Sequence, residues 1–104
     1  MRVISRAPFL QAMANHPNDA KAVDKTYKAL KAATFVSPDA MKAMFPSLDN
    51  FRYVDRWWVI DIGGNNLRLI AFVDFEKQRL FAKHLVTHAE YDKLCSKYAQ
   101  EKRQ

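Results

Sequence analysis

The chain has 104 residues, of which 49% are hydrophobic and 27% are charged, and its formal net charge is +6. This length predicts one domain over residues 1–104, and the apolar content excludes a disordered or low-complexity chain. The single Cys95 cannot form an internal disulfide, and the sequence has no apolar run long enough to cross a bilayer. We therefore expect a cytoplasmic protein with no membrane partner.

The positive charge is spread along the chain. Residues 1–52 carry 8 basic and 4 acidic side chains, and residues 53–104 carry 9 and 7. A basic domain suits a polyanion such as RNA, because neutralised phosphates release their condensed counterions. A large acidic protein partner accounts for the same charge equally well.

The N-terminal third has the pattern of helices. We predict a short strand at 2–4 and helices at 6–14, 17–34 and 40–45, with Ser5 as the N-cap of the first helix. The second helix presents a face of lysines, which a solvated surface explains most simply. The functional interpretation is an RNA or ribosomal contact without sequence specificity, made by Lys21, Lys25 and Lys28.

The second half has the pattern of a β-meander followed by a helix. Alternating or apolar runs predict strands at 51–54, 57–62, 67–75 and 79–86. The tetrapeptide Gly63-Gly64-Asn65-Asn66 is a strong hairpin signal, since these residues tolerate a positive φ. A final helix is predicted at 87–100. The chain is thus expected to be an α+β protein of two layers, with N-terminal helices on an antiparallel meander and a C-terminal helix.

Arg68 is the most anomalous residue in the meander, because it interrupts the outward face of a largely apolar strand. A guanidinium there needs a partner. Asp61, across the predicted hairpin, offers a purely structural ion pair. The functional alternative is a fork that grips a phosphate and stabilises the transition state of its transfer.

The segment Thr87-His88-Ala89-Glu90 has the pattern of a capping box, which accounts for Thr87 and Glu90 without any function. It does not account for His88, which is predicted to lie at the first position of the helix, where backbone amides favour anions. Tyr91 follows three residues later on the same helix face. We interpret His88 and Tyr91 as a pair facing a phosphate; the simpler alternative for His88 is an inert surface side chain.

Other candidate residues surround this cluster. Simple alternation places Lys83 and His84 on opposite sides of the last strand, so at most one of them can join the site alongside Arg68, and Lys83 is the basic group expected to contact RNA. Asn66 either holds the hairpin turn or touches RNA. The sequence contains no phosphate-binding glycine loop, paired-cysteine or His-Glu metal motif, or serine elbow. No metal ion or cofactor is therefore expected.

Three motifs resemble the HigB-type toxins of bacterial type II toxin–antitoxin systems: the Phe45–Tyr53 stretch, the GGN-LR segment of 63–68 and the THAEYD segment of 87–92. The resemblance covers essentially the whole chain. It implies a RelE-like fold and an mRNA endonuclease that cleaves translated message at the ribosome. It also implies a cognate antitoxin of the HigA type, which carries a helix-turn-helix domain and brings the pair to operator DNA.

Carried over to this sequence, the resemblance makes Arg68, His88 and Tyr91 the expected catalytic residues. A different class of function is open on the same residues, namely a non-catalytic RNA- or protein-binding module in which the cluster is structural. A neighbouring gene for a small helix-turn-helix protein, and toxicity that its product relieves, would distinguish the two.

Overall fold

A computed structural model describes residues 1–103 of the chain. The helices are α1 (Ala7–Asn15), α2 (Ala20–Ala32), α3 (Pro38–Met44) and α4 (His88–Arg103), with a single 3-10 turn at Pro17–Asp19 before α2. The strands are β1 (Arg2–Ile4), β2 (Asp49–Asn50), β3 (Trp57–Ile62), β4 (Leu67–Asp74) and β5 (Arg79–Thr87). The predicted α+β class is confirmed. None of the helices within the described residues is long and apolar enough to span a bilayer.

The five strands form one sheet in the order β1-β5-β4-β3-β2. Strands β3, β4 and β5 make the predicted antiparallel meander, and β2 joins it antiparallel to β3. The short strand β1 pairs with β5 in the parallel sense, so the sheet is mixed. The first three helices connect β1 to β2 and cover one face of this sheet.

Two local predictions are wrong. The strand predicted at 51–54 lies earlier, at Asp49–Asn50, because Phe51 turns inward under α4 and the chain then reverses through 52–56. Ser5 does not cap α1: it has a φ of 70°, and the cap position is occupied by Arg6, which makes no side-chain cap bond. The helix starts with Pro8 in its first turn, where a missing N–H costs nothing.

The face under the N-terminal helices carries the main core. Leu69, Ala71 and Val73 of β4 point into it, as their alternation predicts, and meet Val23 and Leu30 of α2. All of these side chains are at most 3% exposed. Burial of such aliphatic side chains contributes about 1.5–3 kcal/mol each relative to exposure. This face is the larger of the two apolar cores and therefore supplies most of the hydrophobic stabilisation.

Helix α4 packs on the opposite face of the sheet. Its apolar stripe is the predicted one, and it covers a small cluster built on Phe51, Val59 and Ile70. The stripe itself is only partly buried and consists of Tyr91, Leu94, Cys95 and Tyr98. Both faces of β4 are therefore covered, as its apolar composition predicts, but the α4 face is thinner and more aromatic than the other.

Candidate active site

Arg68 lies on the α4 face of β4, directly opposite Asp61 in the β3–β4 register. Its Nε atom is 3.3 Å from Asp61 Oδ1, and the two side chains are 21% and 26% exposed. The ion pair expected from the hairpin is thus present. The Nε atom is nevertheless buried and makes no well-aligned hydrogen bond with any described residue. The Nε atom is therefore within ion-pair distance of Asp61 without being aligned for a hydrogen bond to it.

Tyr91 lies over Arg68, with the guanidinium carbon 4.5 Å from the centre of the phenol ring. This cation–π contact brings together two of the three residues that the sequence nominates. Burial and then a hydrogen bond with Cys95 raise the pKa of Tyr91 to about 12, although the neighbouring Arg68 acts to lower it. The phenol is therefore protonated at neutral pH and can act as a hydrogen-bond or proton donor.

The predicted capping box at the start of α4 is formed. Glu90 N donates to Thr87 Oγ1 at 3.3 Å, and the Thr87 amide and hydroxyl donate to Glu90 Oε1 at 3.1 and 2.9 Å. The amide bond and then the hydroxyl bond lower the pKa of Glu90. Thr87 and Glu90 therefore hold the first turn of the helix, which sets the position of the residues between and after them.

His88 is the first residue of α4 and is 55% exposed. Its Nε2 atom is 3.7 Å from Asp92 Oδ2, one turn further along the helix. Thr87 pairs with Leu67, so His88 begins α4 beside the strand position that precedes Arg68. Arg68 and Tyr91 are in contact, and His88 lies three residues before Tyr91 in α4 with its side chain exposed.

The hairpin between β3 and β4 anchors this end of the sheet to the N-terminal helices. Asn66 Nδ2 donates to Asp19 Oδ1 at 3.0 Å, so Asn66 holds the turn. Gly63 has a φ of 64°, and a Cβ atom there would lie 2.6 Å from the same Asp19 oxygen. Both the backbone conformation and the close approach require glycine, and together they fix the strand ends that carry Asp61 and Arg68.

Lys83 occupies a β-bulge in β5. Ala71 pairs with Ala82 and Ile70 with His84, which leaves Lys83 without a partner in the ladder. The bulge breaks the simple alternation, so Lys83 and His84 do not face opposite sides as predicted. The Lys83 ammonium is 5.9 Å from the centre of the Trp57 ring, and the His84 ring is 6.3 Å from it. One extra residue on a strand re-aims the side chains that follow.

His84 was assigned no role from the sequence, yet it is the most embedded histidine of the α4 face. Its Nε2 atom is 2.9 Å from the Tyr98 hydroxyl. Burial, then Lys97, then Lys83 lower the pKa of His84 below its ordinary value. Tyr98 follows Tyr91 by seven residues on the same stripe of α4, but the position of His84 against that stripe depends on the bulge, which the sequence does not mark.

The three α2 lysines lie apart from this cluster. Helix α2 packs on the opposite face of the sheet from Tyr91. Lys28 forms an ion pair with Asp24 at 2.8 Å, whereas Lys25 lines a groove between α2 and α3 that also contacts Asp61 and Gly63. Lys21 is exposed near the start of the helix. Across residues 1–103 there is no group of three or more side chains that could hold a metal ion.

The site therefore combines the partly buried guanidinium of Arg68, the protonated phenol of Tyr91 packed on it, and the exposed imidazole of His88 at the start of α4. The family profile that matches residues 19–94 is HigB_toxin, described as the RelE-like toxic component of a toxin–antitoxin system. A chain called mRNA interferase HigB, from Escherichia coli O6:H1, is 47% identical over 102 residues, which covers 98% of this chain and 99% of the relative.

Two further relatives extend the similarity. The mRNA interferase toxin HigB of Escherichia coli K12 and the mRNA interferase HigB of Shigella flexneri are each 36% identical over 92 residues, covering 88% of both chains. The fold and these matches define a RelE-like toxin of a toxin–antitoxin system. More narrowly, the chain belongs to the HigB toxin family, as the sequence motifs predicted. Membership implies an antitoxin as partner.

Proposed function

We propose that this protein is an endoribonuclease that inhibits translation by cleaving mRNA on the ribosome. Three kinds of support combine: membership of the HigB family, curated relatives named mRNA interferases, and a net charge of +6 suited to RNA. The observation that carries the assignment to this site is the partly exposed guanidinium of Arg68, which lies beside Asp61 and in contact with the Tyr91 ring.

The proposed reaction uses the 2′-hydroxyl of the RNA as the nucleophile and needs no metal ion or cofactor. Arg68, assisted by Lys83, binds the scissile phosphate and stabilises the charge that builds on its oxygens. His88 removes the proton of the 2′-hydroxyl or, in the reverse assignment, protonates the leaving 5′-oxygen while water accepts the proton of the 2′-hydroxyl. Tyr91, which is protonated at neutral pH, orients the phosphate or supplies the proton to the departing 5′-oxygen. The products are a 2′,3′-cyclic phosphate and a free 5′-hydroxyl.

The partners follow from the same proposal. Lys21, Lys25 and Lys28 face away from the site and are proposed to contact ribosomal RNA without sequence specificity. The antitoxin is proposed to be of the HigA type with a helix-turn-helix domain, so that operator DNA is reached only through it. The compartment is the cytoplasm, where translated mRNA is found.

A second candidate function rests on the Arg68–Asp61 pair itself. Because Asp61 is close enough to neutralise Arg68, the cluster can serve as a structural tie in a non-catalytic RNA- or protein-binding module. In that case Arg68 would contribute to folding and contribute nothing to cleavage. The two functions predict different outcomes for the same substitutions.

The test is to map the 5′ ends of cellular mRNA after brief induction of the wild type and of Arg68→Ala, His88→Ala and Tyr91→Phe. Loss of one oxyanion-stabilising donor typically costs about 10²–10³-fold in rate, so Arg68→Ala should abolish new 5′ ends and growth arrest. Arg52→Ala is the matched control, since Arg52 is an exposed arginine outside the cluster. Purified protein with mRNA, with and without translating ribosomes, tests the ribosome requirement.

If all three variants cleave like the wild type, the site assignment is wrong. If the wild type produces no new 5′ ends and no arrest, the binding-module function replaces the nuclease. Co-expression with the neighbouring helix-turn-helix protein should restore growth and yield a stable complex.

A further inference from the structure

A groove with a positive rim runs across the outer edge of β5, beside the Arg68–Tyr91 contact, and shares Lys83 and His84 with the site described above. One cavity of about 300 Å³ lies between α1 and β5, and a second of about 350 Å³ lies between β5 and α4. Both are lined by His84, Val86 and Glu90, so the two cavities adjoin along the outer edge of β5. We call the pair the β5 groove.

The groove exists because β1 is too short to cover β5. Strand β1 pairs only with the first three residues of β5, Arg79 to Phe81. From Ala82 onward, no described strand pairs with the outer edge of β5. An open edge presents unpaired backbone donors and acceptors, and here that edge forms the floor of a depression walled by two helices.

The rim of the groove carries three lysines and one carboxylate, so its balance of charge is positive. Lys83 comes from the bulge, and Lys93 and Lys97 come from one side of α4, at helical spacing. All three are exposed, and within the described residues none forms a salt bridge. The one carboxylate that lines both cavities, Glu90, is held by Thr87 in the capping box. Clefts lined by one sign of charge concentrate counter-ions of the opposite sign.

The lysines converge on one place. Lys97 and Lys83 both act on His84 strongly enough to lower its pKa after the effect of burial. Around the same histidine are the Trp57 ring and the Tyr98 ring, 5.3 Å apart between centres. Basic side chains interleaved with aromatic rings suit a single-stranded nucleic acid, whose phosphates need cations and whose bases stack on rings.

The groove also leads to the proposed site of cleavage. Val86, on its floor, is the register partner of Arg68 on β4. The geometry points to the β5 groove as the track for the single-stranded RNA that flanks the scissile phosphate, bound through its backbone by Lys83, Lys93 and Lys97. This inference rests on the proposed function, since it gives the path of the same substrate.

The test measures binding separately from cleavage. The probe is a fluorescent single-stranded oligonucleotide with 2′-O-methyl groups throughout, which has no 2′-hydroxyl to attack. Its affinity is measured by anisotropy between 50 and 300 mM salt (roughly the range in which phosphate contacts are resolved). For single strands, each phosphate contact contributes about 0.7 to the slope of log affinity against log salt. The variant Lys83→Gln/Lys93→Gln/Lys97→Gln should lower that slope by about 2.

The control variant Arg2→Gln/Arg52→Gln/Lys77→Gln removes the same charge from exposed positions outside the groove and should keep the wild-type slope. The charge-preserving variant Lys83→Arg/Lys93→Arg/Lys97→Arg should also keep it, which separates charge from misfolding. The inference is overturned if the groove and control variants have equal slopes, or if the wild type does not bind the probe. It is also overturned if the groove variant loses the antitoxin and binds RNA normally.

The outcome is independent of the cleavage assay. If Arg68→Ala, His88→Ala and Tyr91→Phe cleave normally while the lysine slope falls as expected, the groove stands and the catalytic assignment fails. If those variants are inactive and the slopes do not differ, the catalytic assignment stands and the groove does not carry the RNA.

Discussion

The two faces of the sheet differ in how deeply they are buried and in how polar they are. Under the N-terminal helices, the core is deep and wholly apolar, with Val23, Leu30 and Leu69 fully buried. Under α4, three buried residues support a partly exposed layer in which Arg68 and His84 lie among aromatic rings. The first face holds the fold together, whereas the second is a thin cover that keeps polar groups close to the surface.

The difference has a physical reason. A guanidinium or imidazole cannot be placed in a dry core without a large desolvation penalty. A half-buried aromatic layer supplies contact area and cation–π attraction while leaving the charged group in reach of water and ligands. One sheet can therefore serve both purposes because its strands alternate: the even positions of β4 face α4 and the odd positions face the main core.

The largest effect that tests this comparison is on stability. Leu30→Ala should lower the free energy of unfolding by about 2–5 kcal/mol, because it leaves a cavity in a closed core. Leu94→Ala on α4 should cost about 1 kcal/mol, since a half-exposed leucine loses less transfer free energy. Urea unfolding of both variants measures the difference. Equal costs would mean that the α4 face is as much a core as the other.

An intermediate effect is expected at the start of α4. Thr87→Ala removes the hydroxyl that accepts a hydrogen bond from the Glu90 amide. Loss of such a cap typically lowers the free energy of unfolding by about 0.5–2 kcal/mol. Hydrogen exchange of the α4 amides should speed up more than that of α2. Ser96→Ala, an exposed mid-helix change, is the control and should leave α4 exchange no faster. If both variants exchange alike, the cap does not hold the helix.

The smallest effect is on the pH dependence of stability. Folding lowers the pKa of His84. At a pH below the ordinary pKa of histidine, the unfolded chain therefore binds a proton at this residue more readily than the folded chain does. Stability attributable to His84 is therefore present above that value and is lost as the pH falls, by less than about 1 kcal/mol after solvent screening. His84→Gln should show a shallower loss between pH 7 and pH 5 in urea unfolding. An unchanged pH profile would contradict the assignment.

Sequence patterns predicted most of this architecture because they depend on local periodicity. The alternation in β3 and β4, the glycine hairpin and the capping box at Thr87 all involve residues close in the chain. The Arg68–Asp61 pair followed from hairpin register alone. The strand expected at 51–54 was misplaced because Phe51 is apolar for a tertiary reason, namely its burial under α4.

The site was only partly predictable for a related reason. The contact of Tyr91 with Arg68 could be expected from strand and helix spacing. The roles of Lys83 and His84 could not, because a β-bulge is not marked by glycine or proline here and shifts the register by one. Lys93 and Lys97 of α4 line a groove because β1 leaves the end of β5 uncovered. The length of that pairing depends on segments far apart in the chain, so local patterns do not predict it.

The parallel pairing of β1 with β5 has a consequence for the order in which the molecule forms. Arg2 pairs with Arg79, so β1 can join the sheet only after residue 79 has been synthesised. Pairing segments so far apart in the chain requires closing a long loop, which slows folding because of its entropic cost. Tyr91 and His88 are made later still. A partly synthesised chain therefore has the residues of its first three helices before those of β3 to β5, and Arg68 before Tyr91. The contact of Arg68 with Tyr91 can therefore form only after the chain has been synthesised beyond residue 91.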